Sequence, residues 1–368
     1  MQKDFHFTAT YTLARLAGFS QEEGEIIASS SQFIDDATNA GTLLFDNYAG
    51  YQFFSSAHKM LDYRNFEQLQ NHYCWIPFHF LPGNKTDDPL FEGEKPFVQK
   101  LICQPNSEVA QLMIKKMLQK KGKPYSLYQL GITMHVYADT WAHQKFCGIS
   151  HKVNSVKEIL DYDDGTHHTG HNTRIAKYFK KKWWERIFSW MLTEYSPLGH
   201  GPALSMPDKP FLKWQYINYA GKVVRRDNTE IYMDAIDHLY SALKSYKMNH
   251  LEFKHFELET SDKEMFFKLF STLTSDDSEE RVSGWKKAIS EGAFSFGKET
   301  IYYHGEGENS WKTQLDFSLP KKLNGTRKEI PYKSNFLSAP WKLFHDAATD
   351  NRKTILHDVL PAHNITVV

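Results

Sequence analysis

The feature that most limits the folds open to this chain is a series of helical segments with defined ends. Ser20 and Glu23 form a capping-box pattern, which predicts a helix from there to about Asn39. Ser107 begins another segment, which ends at the Lys-Gly-Lys-Pro run of residues 121–124. Apolar residues at helical spacing predict further helices over 5–17, 126–143, 173–194, 228–247, 275–289 and 341–360. We therefore expect a mainly α fold.

The last third of the chain is less regular than the rest. A second capping-box pattern, Ser261 with Glu264, predicts the start of a helix. Alternating apolar residues over 294–335 predict short strands, in one hairpin or two. We predict a helical domain over residues 1–250 and a small irregular or β-containing extension over 251–368 packed on it, or a single domain that includes both.

Composition excludes several classes of protein. The 368 residues include 44 Lys and Arg against 44 Asp and Glu, so the formal net charge is zero, which weighs against long nucleic acid as a partner. The three cysteines, Cys74, Cys103 and Cys147, are widely spaced and form no CxxC pair. Neither a disulfide framework nor a thiolate zinc site is therefore indicated.

Localisation is predicted from what the sequence lacks. No stretch approaches the roughly 18 apolar residues that cross a bilayer. The N-terminal segment lacks the apolar core of a signal peptide. We expect a cytoplasmic protein, or one exported without a cleavable leader, with no transmembrane segment.

The segment His135-Val-Tyr-Ala-Asp139-Thr-Trp-Ala-His143 carries the strongest chemical signal. Positions i, i+4 and i+8 share one face of a helix, drifting by only about 40° per step. Imidazole and carboxylate groups are common ligands of zinc and other transition metals. The alternative is a polar helix face, but the flanking residues are largely apolar, and a buried His-Asp-His stripe needs partners. The spacing favours a metal site.

Three earlier positions could add ligands. Adjacent Asp35 and Asp36 diverge by about 100° on a helix, so only one is expected to face a given site. His79 lies between apolar residues and two prolines, on a loop that we expect to be stiff. His6 stands between two phenylalanines. Surface acids and satisfied core histidines are the alternatives for these residues.

Two later loops differ in character. Residues 161–171, with His167, His168 and His171, are typical of a solvated polar loop. The Gly- and Pro-rich turns of residues 198–210 present His200 and, as a weaker candidate, Asp208. We find no GxSxG elbow, P-loop, GxGxxG or HExxH motif.

Taken in chain order, His6, Asp35 or Asp36, His79 and the His135–His143 helix resemble a known arrangement. It is that of the zinc-dependent phospholipase C family and its single-strand nuclease relatives, over roughly residues 1–210. The helix segment looks closest to the branch of glycosylphosphatidylinositol-cleaving phospholipases. The chain also looks like an uncharacterised bacterial family that begins with an Asp-Phe-His segment and contains a Pro-Phe-His-Phe-Leu-Pro-Gly loop.

The resemblance implies a multi-helix phospholipase C-like bundle with a cluster of one to three zinc ions. It implies metal-ligand roles for His6, Asp35, Asp36, His79, His135, Asp139 and His143, and catalytic roles for Asp36 and Asp139, one of them orienting the attacking water. The family's final His-xxx-Glu pair has no clear counterpart, and His200 or one of His167, His168 and His171 is expected to replace it. The enzymes also use the amino group of a processed N-terminal Trp, whereas this sequence starts Met1-Gln2.

These expectations describe a zinc-dependent hydrolase of phosphodiester bonds, acting on a small phosphodiester or a phospholipid. Peripheral membrane contact is compatible with that substrate class. The alternatives are a helical binding or scaffold protein with a structural metal, and a metal phosphohydrolase of nucleotides. We expect His135→Ala and Asp139→Asn to abolish phosphodiester cleavage, and His58→Ala to leave it unchanged.

Overall fold

Helices make up most of the regular structure, as the capping signals predict. The computed structural model describes residues 1–58, 62–162, 174–195, 197–308, 310–315 and 329–368. The α-helices are α1 (Thr10–Leu16), α2 (Gln21–Asp36), α3 (Gln68–Phe78), α4 (Pro96–Leu101), α5 (Glu108–Gln119), α6 (Ser126–Ala142), α7 (Arg174–Lys181), α8 (Trp183–Tyr195), α9 (Asn228–Lys247), α10 (Thr260–Thr272), α11 (Ser278–Glu291), α12 (Pro340–Thr354) and α13 (Leu360–Ala362).

The first capping box is confirmed atom by atom. The Ser20 hydroxyl accepts from the Glu23 amide at 3.2 Å, and the Glu23 carboxylate accepts from the Ser20 amide at 2.8 Å. Ser107 likewise caps α5, accepting from the Ala110 amide at 3.2 Å. These side chains satisfy amide groups that have no partner in the first turn of a helix, so the helix starts were readable from sequence.

The second capping box was predicted wrongly. Helix α10 begins at Thr260 after Glu259, which makes no side-chain cap, so Ser261 lies inside the first turn. The adjacent Asp262 carboxylate instead accepts from the amide (2.9 Å) and the hydroxyl (2.6 Å) of Ser295. A tertiary contact has replaced the local cap.

The chain enters its first helix through a π-helical segment, Asp4–Ala9, which continues directly into α1. The prediction of a helix over 5–17 is thus confirmed, although its first part is wider than an α-helix. Single π-helical turns often occur at functional sites, and this one carries His6.

Two small antiparallel sheets complete the regular structure. Strands β1 (Gly41–Leu44) and β2 (Gly50–Phe53) form a hairpin in which Gly41 pairs with Phe53. Strands β3 (Val156–Asp161), β4 (Lys213–Asn218) and β5 (Val223–Asp227) form the second sheet in that order. Within the described part of 294–335, no strand occurs. The only β-pairing there is a single bridge from Ile330 to Phe45, so the prediction of strands was wrong for these described residues; residues 309 and 316–328 lie outside them.

Helices α2 and α6 pack closely, because Gly131 of α6 lies directly over the backbone of α2 at Ile27. The largest hydrophobic cluster surrounds this pair and runs from Met1 to Val367 in sequence. A second cluster joins Phe33 of α2 to Phe344 of α12. Residues 1–250 and 251–368 therefore share buried contacts.

No helix in the described ranges is long and apolar enough to cross a membrane.

Candidate metal centre

The donor residues of α6 are deeply buried. His135 and Asp139 are 0% and 1% exposed, and His143, the residue that ends the helix, is 4% exposed. The Asp139 carboxylate lies 3.2 Å from His135 Nε2 and 3.5 Å from His143 Nδ1. The predicted His-Asp-His face therefore points into the protein.

Among the residues that the structure describes, three sets of side chains bring donor atoms within 4.8 Å of one another. His135 belongs to two of these sets, so they are adjacent, and α6 contributes to all three through His135, Asp139 or His143. The sets are His6, Asp35 and His135; His79, His135 and Asp139; and His143, His200 and Asp208.

Three of these histidines are oriented by backbone carbonyl groups. His79 Nε2 lies 3.0 Å from the Ser56 carbonyl oxygen, and His143 Nδ1 lies 2.8 Å from that of His79. His200 Nδ1 lies 2.8 Å from the Leu204 carbonyl. A carbonyl oxygen only accepts, so each of these ring nitrogens must donate its proton. In a neutral ring the other nitrogen carries a lone pair, as a metal ligand requires.

Those lone pairs face carboxylate oxygens. Asp208 lies 3.5 Å from His200 Nε2 and 3.5 Å from His143 Nε2. Burial lowers the pKa of His200 to about 4, so its ring is neutral at pH 7. Burial opposes ionisation of Asp208, but His200 and the Met1 amino group hold the pKa of its carboxyl well below the usual range. Facing lone pairs are favourable only with a proton or a cation between them.

The Met1 amino group is buried beside the same carboxylates. It donates to Asp139 at 2.6 Å and lies 3.3 Å from Asp208. Burial alone would lower the pKa of this amine, but Asp139, Asp208 and Asp35 together raise it to about 10.

Asp35 and Asp36 point in different directions, as expected of neighbours on a helix. Asp35 joins His6 and His135, and burial together with the nearby Asp139 raises the pKa of its carboxyl well above the usual value. Asp36 instead accepts a hydrogen bond from the Tyr303 hydroxyl and belongs to none of the three sets found in the described residues.

A cavity of about 530 Å³ opens beside the donor sets. Asp35, His79, His143, His200 and Asp208 line one side of it. The other lining residues are Met1, Gln2, Lys3, Gln32, Asp36, His58, Asn65, Trp75, Phe80, Leu192, Leu198, Gly201, Ser278, Glu279 and Glu306. A small molecule entering this cavity would meet the donor atoms directly.

The structure and the sequence signals differ at three positions. Asp208 carried little weight in the sequence, yet it bridges His143 and His200. His58, which the sequence suggested as a neutral position, lines the cavity and is 5% exposed. His79 ends α3, whereas a loop was expected. The signal for Asp208 was its position in the same Gly- and Pro-rich turn as His200.

His167, His168 and His171 fall outside the described residues. Cys74, Cys103 and Cys147 are all buried and unpaired with one another.

Comparisons with curated proteins and with solved structures found no match. The profile of a family of unknown function, DUF6765, matches residues 1–359, and the chain therefore belongs to the DUF6765 family.

Proposed function

We propose that this protein is a metal-dependent hydrolase of phosphodiester bonds, with zinc as the cation. The observation that carries the proposal is the orientation of His79, His143 and His200. Each ring donates one proton to a backbone carbonyl and turns its other nitrogen towards a carboxylate. Such anchoring is typical of histidines that bind metals.

The donor set fits zinc. Imidazole nitrogens and carboxylate oxygens are its usual ligands when thiolates are absent. Both ring nitrogens of His6 are buried and make no hydrogen bond of proper geometry with any described residue. His6 would join Asp35 and His135 in holding one ion, while His143, His200 and Asp208 would hold another. His79 and Asp139 lie between these groups.

An adjacent cavity favours a catalytic site over a closed structural one, because catalytic zinc keeps a position for water or substrate. When bound, zinc makes hydroxide available at neutral pH and neutralises phosphodiester oxygens. Asp139 would hold the surrounding histidines in place. Of the two carboxylates expected to be catalytic, Asp36 lines the cavity and is hydrogen-bonded to Tyr303, and it would orient a water molecule.

Metal content and activity test the proposal together. Purified protein is expected to contain zinc by elemental analysis and to cleave one of four substrates: a chromogenic bis-phosphodiester, phosphatidylcholine, single-stranded DNA or a nucleotide. His143→Ala and Asp139→Asn should lower kcat/KM on the order of 100-fold or more, since the first removes a donor atom and the second removes the negative charge that holds the surrounding histidines.

His357→Ala is the matched control, because His357 is an exposed histidine of the C-terminal helical region. The His357→Ala protein should be as active as the wild type. Protein free of zinc, with stability unaffected by chelation, would refute the proposal. Bound zinc without cleavage of any substrate would favour the structural-metal alternative.

A further inference from the structure

The outer face of α8 is unusually apolar for an exposed helix. Five large side chains on it are between 46% and 65% exposed: Trp183, Trp184, Ile187, Trp190 and Met191. Contiguous apolar surface of this kind usually marks an interaction site. We call these five residues the α8 surface.

The opposite face of α8 forms part of the cavity wall. The Ser189 hydroxyl donates to the Pro202 carbonyl at 2.5 Å, which ties the helix to the turn that follows His200. Leu192 and Gly201 both line the cavity. The α8 surface and the donor residues thus lie on two sides of one helix.

Basic residues flank this surface. Residues 174–182 contain five Lys or Arg and no acidic residue, and Lys177, Lys180 and Lys181 are exposed. Of the neighbouring charges, Lys182 pairs with Glu185 at 3.1 Å. A strongly positive segment therefore adjoins the exposed tryptophans in a protein whose total charge is zero.

A groove of about 380 Å³ runs between β3 and the α7–α8 pair. Ile159, Phe179 and Ile187 supply apolar walls. Lys157, Arg186 and Glu158 lie among its polar lining residues, and Arg186 is 3.8 Å from the Glu158 carboxylate. The α8 surface is therefore continuous with a groove that combines apolar walls with cationic side chains.

We propose that the α8 surface docks on a lipid bilayer with anionic headgroups. Tryptophan prefers the boundary between headgroups and acyl chains, where its ring is buried and its N–H stays hydrated. Lysine and arginine near that boundary are attracted to the negative headgroups. A helix with both residue types lies in the plane of the interface. This inference goes beyond the proposed function and does not depend on it.

Vesicle flotation of the full chain tests the proposal. Wild-type protein should float with vesicles of phosphatidylcholine and phosphatidylserine, and bind vesicles of phosphatidylcholine alone more weakly. The double variant Trp183→Ser/Trp184→Ser should bind the mixed vesicles with an affinity lower by about tenfold or more. Lys180→Gln/Lys181→Gln should lose most of the preference for phosphatidylserine.

Tyr48→Ser/Phe267→Ser is the matched control, since Tyr48 and Phe267 are exposed aromatic residues outside the α8 surface. This variant should bind vesicles like the wild type. Zinc-stripped protein should also bind, which separates this inference from the proposed hydrolysis. Absence of binding by the wild type, or equal binding by the tryptophan variant, would overturn it. The proposal would also be overturned if neither protein binds vesicles and the wild type forms dimers that the tryptophan variant does not form.

Discussion

At the scale of single residues, the orientation of three donor histidines depends on one hydrogen bond each. His79, His143 and His200 are each turned by one backbone carbonyl. Because these acceptors are main-chain atoms, substitution of the neighbouring side chains leaves them in place. Variants of the donor residues themselves are therefore the most direct probes of the centre.

Asp35 and Asp36 offer a matched pair for such a test. We expect Asp35→Asn to lower zinc affinity at least tenfold, because a charged donor beside His6 and His135 becomes neutral. Asp36→Asn should retain zinc and lose about 1 kcal/mol of stability through its weakened hydrogen bond with Tyr303. Competition with a chromogenic chelator measures the affinity, and urea denaturation the stability. Loss of zinc in Asp36→Asn alone would reverse the assignment.

At the scale of elements, the centre depends on the distance between α2 and α6. Helix α2 carries Asp35, and α6 carries His135 and Asp139. Gly131 allows the two backbones to approach, because a Cβ there would collide with the Ile27 carbonyl oxygen and lie 2.8 Å from Ser30 Cβ. Packing of the two helices and the geometry of the donors are therefore linked.

Gly131→Ala should separate these helices. We expect a loss of about 1–3 kcal/mol in the free energy of unfolding, the usual cost of overpacking, together with weaker zinc binding. Gly50→Ala is the control, because a Cβ at that position has 3.8 Å to its nearest neighbour. Urea denaturation and zinc titration measure the two effects. Unchanged zinc affinity in a destabilised Gly131→Ala protein would show that the donors do not depend on this contact.

At the scale of the whole molecule, a buried histidine outside the centre should make stability depend on pH. His345 is 3% exposed and packs against Trp341 with ring centroids 4.3 Å apart. Burial lowers its pKa to about 3, below the ordinary value of about 6.5. The unfolded chain therefore binds the proton more readily, and stability falls as the pH drops from about 6.5 towards 3.

The linkage relation gives the size of this effect. When the pH is lowered from 7 to 5, the buried His345 should reduce the free energy of unfolding by about 2 kcal/mol. His345→Leu should remove that part of the dependence, whereas the exposed His357→Leu should not. Urea denaturation at the two pH values checks the difference. Equal pH dependence in wild type and His345→Leu would contradict it.

Metal removal should also act on the whole fold, because the donors come from the π-helical segment, α2, α6, the end of α3 and the turns before β4. Zinc that binds only the folded state at 100 times its Kd adds about 2.7 kcal/mol. A chelator should therefore lower the Tm of the wild type and have a smaller effect on His135→Ala, which keeps only the set of His143, His200 and Asp208 intact. Equal Tm shifts in both proteins would place the stabilising metal elsewhere.

The sequence by itself determined the helices that carry capping or periodic signals and the donor face of α6, whereas α3 and α4 were not predicted. Capping and periodicity depend on residues a few positions apart, so Ser20, Ser107 and the His135–His143 spacing could be read directly. Where local and tertiary contacts compete, as at Ser261 and in the described part of 294–335, the sequence was misleading. Only the tertiary structure decided which of Asp35 and Asp36 turns to the histidines, and that Asp208 joins His143 and His200. Those outcomes depend on contacts between residues distant in sequence, which local patterns do not encode.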